Sequence, residues 1–300
     1  MRKELIELVK NSIVFQYHLP NDKNDFERSA FSTQKDVCFF NEDSTSISET
    51  IYNSIVEYAK NEYDINYDNL TTEQLKALKL SLRYNDEATD EAKQKYGFFG
   101  EVLLYAILSV HMGADVLISK GYFYSPLERS EAKGYDVFHL IERGDNLELW
   151  FGESKFYVDY KSAINKIIDG LSNAISDSYF ERNIFAIIKE KSNLTSSPSQ
   201  LLDVIESWEE NPDISLSKEV KEKNIKLVYP MFVAYDKKVK TYDDSIKDCI
   251  QHIKEKFAEH DDLLSPTFEF SLFFILLPMD NVSRVKKDVI NWITEKKPLI

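Results

Sequence analysis

Two cysteines, Cys38 and Cys249, are all that the 300-residue chain carries. So far apart, they form neither a disulfide framework nor a zinc site, and both are expected as buried, reduced thiols. Glycine is scarce as well, with eight in all. No glycine-rich loop has the spacing that cradles nucleotide phosphates, so the chain is not expected to hydrolyse ATP itself. The five histidines are scattered, without an HExxH pair, and no Gly-x-Ser-x-Gly elbow marks a serine hydrolase. No apolar run is long enough to span a bilayer; Leu272–Leu277 suits a buried strand instead. The opening MRKELIELVKN carries acids inside an amphipathic pattern, unlike a secretory leader. These readings put the protein in the cytoplasm. Positive charge is short too: 37 basic residues face 51 acidic ones, a net −14. That argues against a stand-alone nucleic-acid binder, which normally carries a basic footprint. It leaves room for an enzyme whose metal neutralises the site and whose partner grips the nucleic acid.

What the chain does have is a stretch, Gly134–Tyr157, that reads as a β-hairpin. Val, Phe, Leu, Ile and Trp fill two short runs, as strands require. Arg143-Gly144-Asp145-Asn146 lies between them, and Gly-X at a two-residue centre is a type II′ signal. With Gly144 and Asp145 at that centre the register is fixed. Arg143 faces Asn146, Leu140 faces Leu149, Phe138 faces Phe151, and Asp136 faces Glu153. One apolar face then ends in Asp136, Glu153 and Lys155. Opposed carboxylates repel, and burial beside phenylalanines raises their pKa values. A divalent cation relieves that conflict, because hard cations take carboxylate oxygens. Metal and lysine together are equipment for cutting a phosphodiester. The plain alternative is a solvated edge-strand ion pair with Asp136 capping a turn.

Further upstream, Gly97-Phe98-Phe99-Gly100-Glu101 opens a run that is apolar on every side, so a nearly all-round buried helix is expected. Glu101 is its one charge, placed where the helix dipole favours a carboxylate. Gly113 ends the helix, and Ala114–Ser119 reads as the first core strand.

Asp136 followed by Glu153-Ser154-Lys155 resembles the catalytic signature of the PD-(D/E)xK nuclease superfamily, with Tyr135 where proline usually stands. The order of Glu101, Asp136, Glu153-x-Lys155 and a late strand–helix–strand–helix resembles, more narrowly, the HamA family of nuclease subunits of Hachiman anti-phage defence. The resemblance covers roughly residue 97 to the C-terminus. It implies an α/β restriction-endonuclease-like core with a mixed central sheet flanked by helices. It implies Glu101, Asp136 and Glu153 as ligands of Mg2+ or Mn2+, and Lys155 as the partner of the attacking water. It also implies a HamB-like superfamily 2 helicase as partner, which supplies DNA binding and ATP hydrolysis while this chain cuts DNA.

Around that core the remaining elements are read in order. Residues 1–95 form an α+β extension, either a docking module for a partner or a plain N-terminal extension of the core fold, before a nuclease-like domain at 96–300. In the extension, Met1–Asn11 is helical and Ser12–Leu19 and Asp36–Phe40 are strands. Ser46–Glu49 is a capping box opening a helix to about Asn61, and Thr71–Gln74 opens another. Arg129 and Lys133 form a basic pair able to meet phosphate, as do Lys161 and Lys166 on the helix after the hairpin. Residues 209–223 read as a mobile insertion or lid. Asn224–Asp236 is a strand, with Pro230 arguing for an edge or a bulge. Phe268–Leu277 is a strand covered on both faces. His139 is expected to pack beside Trp150, away from Asp136. A second reading stays open: a catalytically inactive nuclease fold kept as an adaptor for a helicase or nucleic acid.

Overall fold

A computed structural model of the chain describes residues 1–20, 36–125, 127–128, 130–131, 134–144, 146–194, 200–211, 215–238, 240–259 and 270–300. The basic pair Arg129 and Lys133 lies outside the described residues, as does Asp145 of the turn.

The first helix, α1 (Lys3–Ser12), leads into β1 (Val14–His18), and β2 (Val37–Phe40) pairs antiparallel with it. Helix α2 (Ser44–Ala59) follows, then α3 (Leu70–Lys76), a π-turn at Ala77–Ser81, the short α4 (Asp90–Lys93) and α5 (Phe98–His111). Strand β3 (Asp115–Ile118) comes next, then a small pair, β4 (Tyr124–Ser125) and β5 (Ser130–Glu131). The hairpin is β6 (Val137–Arg143) and β7 (Asn146–Tyr157). After it run α6 (Tyr160–Ala174), α7 (Asp177–Lys189), α8 (Gln200–Glu210), α9 (Leu216–Glu222), β8 (Ile225–Asp236), α10 (Tyr242–Ala258), β9 (Phe270–Met279) and α11 (Val282–Glu295).

Among the described residues, seven strands make one mixed sheet in the order β1-β2-β9-β8-β7-β6-β3. β7, β8, β9 and β2 run parallel, and antiparallel strands close both sides. Long strands of Val, Ile, Leu and Phe with little polar interruption need cover on both faces, and they have it. Val137, Trp150, Phe156, Phe232 and Ile275 pack under α1, α2, α5 and α11. Phe138, Phe151, Met231, Val233 and Phe274 pack under the helices from α6 to α10. The stretch read as an N-terminal extension is therefore woven into the same sheet and the same core.

Several local expectations change. α2 starts two residues before its supposed capping box, because Asp43 caps it by accepting from the Thr45 N–H. Asn69 rather than Thr71 caps α3, accepting from the Thr72 N–H. Within the stretch expected as a mobile insertion or lid, 209–223, the described helix α9 is docked: its Leu216 and Val220 are buried in the core. Pro230 sits in a central strand. β8 carries it unbroken against β9, while the pairing with β7 lapses between Val228 and Met231, so no partner waits for the missing N–H. Cys38 and Cys249 are free and buried, and burial pushes both thiols up. No helix among the described residues is long and apolar enough to cross a membrane.

Candidate active site at the hairpin rim

The hairpin pairs in the register its turn dictates. Arg143 faces Asn146, Leu140 faces Leu149 and Phe138 faces Phe151. Gly144 takes φ +59°, a left-handed angle that favours glycine. The ladder stops at Val137–Gly152, one pair short of the carboxylates. There the Asp136 N–H donates to the Gly152 carbonyl (2.9 Å). The Asp136 carboxylate turns to Ser154, whose N–H and hydroxyl both donate to Oδ2 (2.7 and 2.9 Å). Two opposed carboxylates repel, and these two donors hold Asp136 in spite of that.

Glu153 and Lys155 point the same way from β7 and form an ion pair through Oε1, and the Lys155 ammonium also donates to the Ser154 carbonyl (3.0 Å). Burial and the neighbouring Asp136 push the Glu153 carboxyl up to about 7. Lys155 and Lys120 pull it down, but less. Burial works against the charged form of Lys155, yet Glu153 and Asp136 outweigh it and hold the ammonium more firmly charged than usual.

Glu101 comes to the same rim from α5. Gly100 permits the close approach: a Cβ there would stand 3.1 Å from Phe156 Cβ and 3.2 Å from the Ser154 hydroxyl. The Tyr58 hydroxyl, from α2, donates to Glu101 Oε2 and lies 3.5 Å from the Asp136 carbonyl oxygen. The structure thus pairs Glu153 with Lys155 directly, ties Asp136 to the same rim through Ser154, and attaches Glu101 through a tyrosine. Among the described residues no three His, Cys, Asp or Glu side chains form a group that could hold a metal ion. Glu101, Asp136 and Glu153 are therefore not drawn up as a three-carboxylate ligand set. The donor chemistry still suits a hard cation. Hydrogen bonds from Ser154 occupy only Oδ2 of Asp136, and the ion pair only Oε1 of Glu153.

Three residues of this site were not foreseen: Tyr58, Ser154 and Lys120. Lys120 follows β3, is 5 % exposed, donates to the Tyr135 carbonyl and stands 5.6 Å from the Phe138 ring centroid. Its one trace in the sequence is a lysine set between the apolar runs Val116–Ile118 and Tyr122–Phe123. His139 is fully buried beside Trp150, with Nδ1 3.0 Å from the Ala114 carbonyl, and burial lowers it to about 4. It takes no part in the site. Lys161 and Lys166 are exposed on α6, and Lys166 donates to the Tyr157 hydroxyl (3.0 Å).

With the site described, comparison with known families is decisive: the sequence profile of HamA matches residues 6–293, nearly the whole chain. The chain belongs to the HamA family. Family membership makes it a Hachiman defence protein, and it extends the likeness upstream of residue 97 into the stretch where sequence motifs were silent. Comparisons with curated proteins and with solved structures found no match. In this family member the hairpin rim, Tyr58 and Lys120 therefore stand on their own geometry.

Proposed function

We propose that this HamA-family chain is a metal-dependent DNA nuclease that acts with a superfamily 2 helicase. The observation that carries the reading is the meeting of Asp136, Glu153 and Lys155 at one strand rim, with Glu153 pushed up to about 7 beside Asp136. Such a raised carboxyl next to another acid and an ammonium is the pattern of a functional-site candidate. Asp136 and Glu153 would hold Mg2+ or Mn2+, and Glu101 would join them by leaving Tyr58. The bound ion would supply Lewis acidity and an activated water. Lys155, held charged by two carboxylates, would stabilise negative charge gathering on the phosphoryl oxygens. Asp136 is kept oriented by Ser154, and the Tyr135 backbone by Lys120. An acidic chain of net −14 gains its DNA from a partner.

One observation favours the adaptor reading: no three potential ligands are grouped around a point among the described residues. Thermal denaturation with MgCl2 or MnCl2 separates the two. A ligand at a hundred times its Kd stabilises the folded state by about 2.7 kcal/mol. The wild type is expected to show a rise of that kind and Asp136→Ala none. Equal behaviour of the two proteins would overturn the nuclease reading.

A further inference from the structure

Beside Glu153, a cavity of about 180 Å³ opens between β7, β8, α6 and α7. Its walls are aromatic. Tyr135 and Phe151 stack with centroids 4.7 Å apart and planes 3° apart. Tyr179 meets Tyr135 edge-on at 5.1 Å, and Tyr229 lies at 5.8 Å. The back of the cavity is polar. The Tyr135 hydroxyl donates to the Ala174 carbonyl (2.6 Å), and the Tyr229 hydroxyl stands a long 3.5 Å from it. That distance is a weak bond, so the Tyr229 hydroxyl can serve a better partner. At the mouth Lys166 holds its ammonium 5.0 Å from the Tyr157 ring centroid. Exposed Gly170 leaves one side open, for a Cβ there would meet no atom within 4 Å.

Aromatic walls, a hydroxyl at the back and a cation at the mouth are what an unstacked base with its phosphate requires. A cavity of roughly 150 Å³ is enough for benzene, so 180 Å³ suits a single six-membered heterocycle. We propose that this pocket receives an unstacked pyrimidine base of the strand lying across the hairpin rim. The substrate is then single-stranded or locally opened nucleic acid. What the pocket is for rests on the nuclease reading; whether a base enters it does not.

The test uses the full chain, a single-stranded oligonucleotide carrying 5-iodouracil, low ionic strength and no divalent metal. Irradiation is expected to crosslink the base to Tyr135, Phe151, Tyr179 or Tyr229, as mapped by mass spectrometry. Gly170→Leu should abolish the crosslink and weaken binding by about tenfold or more, the size of one lost base–aromatic stack. Its melting temperature should hold or rise, since leucine is the better helix former. Crosslinks that map elsewhere, or that persist undiminished in Gly170→Leu, would overturn the proposal. Pocket crosslinking by a chain that cuts nothing with Mg2+, ATP and the helicase partner present supports the pocket and overturns the nuclease reading. Cutting without pocket crosslinking overturns the pocket alone.

Discussion

Glu153 is the residue under most electrostatic tension in the site. Its folded pKa of about 7 lies above the value near 4.3 of a free glutamate. Between those two values the folded chain binds more protons than the unfolded one, so stability falls as pH rises through that window and stays lost above it. In metal-free buffer the wild type is therefore expected to lose melting temperature relative to Glu153→Gln from pH 5 to pH 8. A gap that stays constant with pH would mean that Glu153 is not held in this way. Lys120 pulls Glu153 down, so Lys120→Met should move the acid limb of a cleavage pH profile to higher pH, whatever it does to stability. An acid limb that moves down would contradict the assignment. Asp136, Glu153 and Lys155 could be read from the sequence because one turn sets their register. Tyr58 and Lys120 could not, since each reaches the rim from another element and nothing local announces the contact.

At the scale of elements, long strands and helices follow their apolar pattern closely, as β8, β9, α5 and α11 show. The misreadings at α2 and α3 come from nearer caps, Asp43 and Asn69, and the others from tertiary structure that overrides a local cue. Residues 209–223 look solvated, yet two positions of α9, Leu216 and Val220, reach the core beside α7 and β8. Leu216→Ala should cost about 2–5 kcal/mol in urea unfolding, the usual range for a buried leucine, whereas a loose lid would tolerate it with almost no change. Pro230 signals an edge or a bulge because the rule concerns a lost N–H; in β8, a central strand, the loss falls where β7 does not pair. Gly152 marks a tight seam between β7 and α5. A Cβ there would come 2.6 Å from Val137 Cγ2 and 2.7 Å from Leu104 Cδ2. Gly152→Ala is thus expected to destabilise by about 1–3 kcal/mol through overpacking, read from the same unfolding curves. An unchanged midpoint would show that the seam is looser than drawn.

For the molecule as a whole, one sheet joins both ends of the chain, so the site at the hairpin rim is supported from β1 through β9. The family profile runs from residue 6 to 293, across all seven strands of that sheet. Under the proposed function, the surface that meets DNA belongs to a chain of net −14. Without a basic footprint few counterions are released, so affinity for duplex DNA should be low and should change little with salt, a lack that the proposed helicase partner would make good. The most direct measurement is cleavage of DNA by the chain co-purified with the proposed helicase partner, in Mg2+ and ATP, comparing wild type with Lys155→Ala. The wild-type complex should cut, and the variant complex should assemble equally well yet cut slower by about 10²–10³-fold, as loss of one preorganised charge requires. Equal cutting by both complexes would contradict a catalytic role for the hairpin rim.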